Sequence, residues 1–179
     1  LLKALPSILE KFPTVRVLHA GPYKNIMGEE VYWEKLKPLF EQHANEYTLL
    51  GSLSGATLTA FYKNLDVLVL CSLNSTESFG LVQIEAMGEG VPSCASNLPG
   101  VRQPVTMTGM GEVVPIGDHE ALAAAVIRIL QDKAAYVKEP DTIAAVFSPA
   151  QTAREYLKLY EALKTRTVSN VLVEPAPYQ

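Results

Sequence analysis

The chain has 179 residues, enough for one ordinary domain with its own core, and 48% hydrophobic against 19% charged residues excludes a disordered segment. Its longest apolar runs, such as "DVLVLCS", fall far short of the roughly 20 residues a membrane-spanning helix needs. A formal net charge of −4 argues against a general nucleic-acid or anionic-membrane surface. The two cysteines, Cys71 and Cys94, both sit in apolar strand-like runs and read as buried, reduced thiols of a cytoplasmic protein.

The chain opens on Leu1 in what already reads as an amphipathic helix, with Leu1, Leu2, Leu5, Ile8, Leu9 and Phe12 at helical spacing. With no initiator methionine and no signal peptide, we expect a fragment of a longer polypeptide. Pro13 closes the helix, and "VRVLHAG" (15–21) follows as a short strand ending in Gly-Pro. "GEEVYWEKLKPLFEQHAN" (28–45) reads as a second helix whose acidic start, Glu29 and Glu30, suits the positive end of the dipole. Pro38 is expected to kink or divide it. "YTLLG" (47–51) is the next strand. In "SGATLTAFYKNL" (54–65) Ser54 is a cap, and Ala56 or Thr57, Ala60, Phe61 and Asn64 lie along one side of a helix.

"DVLVLCS" (66–72) lacks alternation, as expected of a strand covered on both faces in a parallel sheet. A helix over roughly 79–89 follows it, with Gly90 and Pro92 as stop signals. "PSCAS" (92–96) and "GEVVPIG" (111–117) are further strands. "DHEALAAAVIRILQD" (118–132) is a helix capped by Asp118, and "SPAQTAREYLKLYEALKTR" (148–166) is a last one, capped by Ser148 with Pro149 at its first position. The alternation predicts an α/β domain over 1–166, with a doubly wound, mostly parallel sheet and right-handed crossovers. Residues 167–179 form a tail or linker, with a stray strand candidate at "NVLV" (170–173). In such sheets ligands bind beyond the carboxyl ends of strands.

"STESFGLVQIEAMGEGVP" (75–92) lies at that end of the apolar strand and holds two glutamates, Glu77 and Glu85. The plain reading is a solvated residue or a helix cap. Glu85 is harder to place so, because Leu81, Ile84 and Met87 mark a packing side while Ser78, Val82 and Glu85 share a stripe. An unpaired carboxylate there needs solvent, a partner or a ligand. The helix entered between Phe79 and Gly80 offers unpaired backbone N–H groups and a partial positive charge, a seat for phosphate. Gly80 would let a ligand approach the backbone closely. Glu77 and Glu85, roughly 9–12 Å apart at helical rise, could each accept from a vicinal diol, one on a sugar and one on a ribose.

Glu-Ser-Phe-Gly-Leu-Val-Gln-Ile-Glu with "AMGEGVPSCAS" after it resembles the Glu-x7-Glu donor signature of the group 1 (family 4) glycosyltransferases, which have the GT-B fold. "VRVLHAG", "YTLLGSLSG", "NLPGV", "GEVVPIGDHEALAAAV" and "FSPAQTAREYLKLYEAL" follow the landmarks of that family's C-terminal, Rossmann-like half in order. The resemblance implies a retaining transfer of a hexose from a UDP-, GDP- or ADP-sugar, with no other cofactor and no metal. It gives Glu77 the donor sugar and the catalytic role, Ser78, Phe79, Gly80 and Leu81 the diphosphate, and Glu85 the ribose. Ser52 and Leu53, after the second strand, would line the base pocket.

The chain departs from the family at three places. The family's first strand and its basic loop, which serve the leaving diphosphate, are absent, and the strand is central in the usual order. The N-terminal acceptor domain is absent too, so any peripheral membrane contact falls to the missing half. Gln103 or a neighbour stands where the family often has glutamate. His19, His43 and His119 match no motif and read as structural or surface residues. We expect the isolated chain to bind nucleotide weakly and transfer little, and the vacant strand position to be filled by "NVLV", a preceding segment or a partner. Two other readings stay open: a non-catalytic binding or assembly module of the same fold, and a glycoside hydrolase. The hydrolase suits poorly, since its carboxylates flank one bond at roughly 5–10 Å. A dinucleotide-binding dehydrogenase is disfavoured because no Gly-x-Gly-x-x-Gly follows a strand.

Overall fold

A computed structural model of the chain describes residues 1–23 and 30–164. The elements run α1 (Leu5–Lys11), β1 (Val17–Ala20), α2 (Glu30–Gln42), β2 (Tyr47–Gly51), α3 (Gly55–Lys63), β3 (Leu68–Leu70), α4 (Leu81–Gly88) and β4 (Ser93–Ser96). They continue with α5 (Gln103–Thr108), β5 (Gly111–Val114), α6 (His119–Gln131), α7 (Lys133–Tyr136), α8 (Pro140–Phe147) and α9 (Pro149–Lys164). Every strand pairing is parallel, as the alternation predicted. The segment "NVLV" and the expected boundary after residue 166 lie outside the described residues.

The strands form two pieces, β1–β2 and β3–β4–β5. This separation leaves the two pieces without a shared hydrogen-bonded ladder among the described residues. It also corrects one expectation. The apolar run 66–72 does not yield the most covered strand: β3 is only half-buried along its length, because it is hydrogen-bonded to β4 on one side alone. The fully covered strand is β4, where all four residues are buried between paired neighbours. Its side chains alternate between two helix layers. Cys94 packs with Ala4 at the N-cap of α1, Ile8 of α1 and Leu122, Val126 and Ile129 of α6, while Ala95 packs with Met87 of α4, Val105 of α5 and Ile143 of α8. The sheet is thus doubly wound at this strand. Each fully buried Ile or Met contributes roughly 1.5–3 kcal/mol over its exposed state.

Local sequence explains most boundaries. Asp118 accepts from the amides of Glu120 and Ala121 and starts α6, and Ser148 Oγ accepts from Gln151 N–H at the start of α9. Ser54 stands at the N-cap of α3 in extended conformation, but its side chain makes no capping bond. The packing side of α3 is Leu58, Phe61 and Tyr62, with Leu65 just beyond it; of the expected stripe Phe61 packs, whereas Ala56, Thr57, Ala60 and Asn64 are exposed. Pro38 neither breaks nor divides α2, and it lies on the exposed side. Helices α5, α7 and α8 were not legible in the periodicity. Two of them are a turn or two long, and α8 buries little beyond Ile143.

Candidate functional site

The loop from Cys71 to Gly80 carries the chain from β3 to α4 at the carboxyl edge of the three-stranded sheet. Asn74 Oδ1 accepts from the amide and the hydroxyl of Thr76, at 3.1 and 2.6 Å, and bends the loop. Half-buried Glu77 then turns its carboxylate onto its own backbone. Oε1 accepts from the amides of Phe79 (3.1 Å) and Gly80 (2.8 Å). This holds a negative charge at the mouth of α4, where the dipole favours it. Its second oxygen, Oε2, has no donor among the described residues. The amides of Phe79 and Gly80, assigned to a diphosphate from the sequence, are thus occupied by Glu77. The donors ahead of the first intrahelical bond are those of Leu81 and Val82, since Gln83 N–H is the first to reach a carbonyl, that of Gly80 at 2.9 Å.

Gly80 has φ +80°, and a Cβ built there would lie 2.5 Å from Leu70 Cδ2 and 2.6 Å from Gln83 Nε2. The missing side chain would point into the protein. Glycine is therefore demanded by the left-handed turn and the core beneath it, not by a ligand's approach as the sequence had suggested. That turn also sets the rotation of α4. Gln83, Ala86 and Met87 face inward, whereas Leu81 is 65% exposed and shares the outer face with Val82 and Glu85. The expectation that Leu81 marks the packing side is corrected accordingly. The buried polar residue of this helix is Gln83, not Glu85.

Gln83 is completely buried and fully bonded. Its Nε2 donates to the carbonyl of Val101 at 2.8 Å and reaches that of Phe79 at 3.5 Å, and its Oε1 accepts from Ser93 Oγ at 3.0 Å. One side chain thereby ties the helix mouth, strand β4 and the loop after β4 together. That loop approaches so closely that a Cβ on Gly100 would fall 1.6 Å from the carbonyl oxygen of Ser78. Ser96 Oγ donates to the carbonyl of Ser72 at 2.7 Å and fastens the same two loops. Phe79 is held from outside by the ring of Phe147, 6.3 Å away edge-on. Sequence reasoning missed Gln83 and Gly100. The available signal was a polar residue at helical spacing with Ala86, Met87 and Gly90.

Glu85 stands exposed in the second turn of α4, about 7.5 Å along the axis from Gly80 at 1.5 Å per residue. Its Oε2 accepts from Tyr62 Oη at 2.6 Å. Burial, then the bond to Glu85, push the Tyr62 hydroxyl well above its ordinary range, so it stays protonated and donates. Gln103 donates to the carbonyl of Pro99 at 3.0 Å and so serves its own loop, and Arg102 donates to Asn97 Oδ1 at 2.9 Å beside it.

The structure therefore gathers Glu77, Ser78, Phe79, Gly80, Leu81 and Glu85 on one loop–helix unit. Ser52 and Leu53 lie just past β2, at its carboxyl end, and no hydrogen bond or ion pair joins them to that unit. Two surface hollows, of about 270 Å³ between α8 and α9 and about 320 Å³ beside Trp33, Phe40, Tyr47 and Leu49, include neither glutamate. His19 shares a 3.4 Å contact with Tyr47 Oη, and burial lowers its pKa. His43 is buried beside Glu46, and His119 is exposed at the start of α6. Cys71 and Cys94 are free thiols. Among the described residues, no helix is long and apolar enough to cross a membrane.

A unit of parallel strands with helices on both faces of its sheet is a Rossmann-like fold. The family model described as "Glycosyl transferases group 1" matches residues 1–145, and the chain belongs to that family. It is 30% identical over 166 residues to a phosphatidyl-myo-inositol mannosyltransferase of Mycolicibacterium smegmatis, covering 91% of this chain and 41% of that protein. A D-inositol 3-phosphate glycosyltransferase of Corynebacterium urealyticum is 29% identical over 92% of this chain and 40% of its own. Among solved structures, a sucrose-phosphate synthase from Thermosynechococcus elongatus superposes with a TM-score of 0.70 at 27% identity, over 92% of this chain and 42% of that one. The Anabaena protein HepE, solved with UDP and glucose, shares the fold at a TM-score of 0.68 and 17% identity, over 88% of this chain and 44% of that one. The chain spans about two fifths of the length of these relatives.

Proposed function

We propose that this chain is the donor-binding half of a retaining glycosyltransferase that moves a hexose from a nucleoside-diphosphate sugar to an acceptor bound by the rest of a longer protein. The observation that carries this reading is the carboxylate of Glu77, fixed at the mouth of α4 with one oxygen unengaged, while Glu85 stands on the exposed side of the same helix. The diphosphate then meets the amides of Leu81 and Val82 and the positive end of the helix, which stabilise its growing charge as the sugar departs. Glu77 Oε2 accepts from hydroxyls of the hexose, and Glu85 from the ribose. Ser52 and Leu53 line the base side with their backbone. A second wall comes from the part of the longer protein beyond the two fifths that this chain spans of its relatives. Two free thiols suit a cytoplasmic setting.

A thermal-shift panel of UDP, GDP, ADP and their hexose conjugates against the chain tests this. The expected result is stabilisation specific to one base, with the sugar conjugate losing its advantage over the bare diphosphate in Glu77→Gln. That variant keeps an acceptor for the Phe79 and Gly80 amides. No stabilisation by any of the nucleotides would sink the reading. Turnover by the isolated chain is expected to be negligible, and sustained transfer would contradict the division of labour proposed here.

A further inference from the structure

We infer that Tyr62 is a positioning residue for nucleotide recognition: its hydroxyl, through the 2.6 Å bond to Glu85 Oε2, locks the Glu85 carboxylate in the pose that receives the ribose diol. This rests on the donor-site reading and names a residue outside the motif that it depends on. Tyr62 lies on α3, 23 positions before Glu85, and is the most buried residue of that helix at 5% exposure. Its ring packs with Ala86 and Val91, and with Leu58, Phe61, Leu65 and Leu68 around them, so it cannot swing away.

The chemistry of the pair is asymmetric. Glu85 is an exposed side chain on a helix surface, free to sample several rotamers if left alone. Ordering a carboxylate of that length costs side-chain entropy. A short charge-assisted bond from a rigid donor removes most of that freedom before any ligand arrives, which is pre-organisation in the ordinary sense. The bond occupies Oε2 only. Oε1 has no donor among the described residues, so a bidentate hydroxyl pair finds one oxygen open and the other already polarised. The Lys63–Glu89 pair at 3.7 Å, at the C-terminal ends of α3 and α4, does not touch Glu85.

The test compares ribo- and 2′-deoxyribonucleoside diphosphates of uracil, guanine and adenine as probes against wild type, Tyr62→Phe, Glu85→Gln and the double variant. Phenylalanine keeps the ring in its apolar site, and a melting curve of each variant verifies that it folds. Wild type should prefer the ribo form of its cognate base. Tyr62→Phe should cut that preference three- to tenfold and leave the 2′-deoxy affinity within twofold. Glu85→Gln should abolish it, and the double variant should add nothing to Glu85→Gln. A Tyr62→Phe protein that keeps the full ribose preference, or that loses both forms equally, overturns the role of Tyr62 while the donor site stands. A wild type without ribose preference, or one indifferent to Glu85→Gln, overturns the donor-site reading and this inference together.

Discussion

The two pieces of the sheet differ in how they are held. The three-stranded piece has a completely buried strand, β4, with helices on both faces and two hydrophobic clusters meeting across it. The two-stranded piece has no buried strand residue: β1 is half-buried throughout and β2 alternates between half-buried and exposed. Its cohesion comes from rings instead, with Phe40 edge-on to Tyr47 at 4.8 Å, Trp33 against Phe40 at 5.4 Å, and His19 against Tyr47. The difference teaches where precision resides. Glu77, the helix mouth and Glu85 are built on the well-packed piece, while Ser52 and Leu53 hang from the loosely packed one. The chemical end of the proposed site is rigid, and the base end is set by an element with one unpaired edge.

The widest contrast should appear in stability. Ile129→Ala, in the cluster under β4, is expected to cost about 2–5 kcal/mol. Leu49→Ala, half-buried in β2, should cost well under about 2 kcal/mol, because less apolar area returns to water. Urea titration of both variants checks this. Equal losses would show that the two pieces are packed alike.

A smaller effect should be confined to the site. Gly100→Ala must push the loop after β4 off the Ser78 carbonyl, since its Cβ would land 1.6 Å from that oxygen. We expect about 1–3 kcal/mol of destabilisation, together with at least tenfold weaker binding of the cognate nucleoside diphosphate. Calorimetric binding and a melting curve on one sample separate the two. Undiminished binding would mean that the two loops do not work as one body.

Much of this was legible in the sequence. Five strands and the caps at Asp118 and Ser148 follow from local chemistry, and the Glu-x7-Glu spacing located the loop–helix unit. What escaped was set by long-range contacts. The rotation of α4 depends on a left-handed turn at Gly80, and that turn is forced by Leu70 and Gln83 pressing from below. Gln83 was not singled out because its partners, Val101 and Ser93, are distant in the chain. Tyr62 was hidden similarly, 23 residues from the carboxylate it meets. Conversely, the run 66–72 looked fully covered because its composition is apolar, whereas coverage depends on a neighbour along its open edge.

Removing the cap of α6, by Asp118→Ala, should lower stability by about 1 kcal/mol, because the amides of Glu120 and Ala121 lose their acceptor. The effect belongs to the three-stranded piece alone and should leave nucleotide affinity unchanged. A change in affinity would tie α6 to the site and weaken the separation drawn between scaffold and recognition.

The smallest expected effect is electrostatic. Arg128 Nε donates to Glu112 Oε1 at 2.9 Å, and Tyr136 Oη donates to the same oxygen at 2.6 Å. The Arg128 bond holds the Glu112 carboxyl below its usual range, against the opposing pull of burial. A carboxyl lowered by folding contributes stability that is present above its unfolded value, and loses it as pH falls through the folded one. Because Arg128 is half exposed to water, the contribution should be about 0.5–1 kcal/mol. Glu112→Gln should therefore melt slightly below wild type at about pH 7, and the gap should close as the pH falls below the usual carboxylate range. β1 and β2 carry no such pair among the described residues, so the three-stranded piece should lose this increment first in acid. A gap that stays constant with pH would show that Glu112 acts through packing and not through its charge.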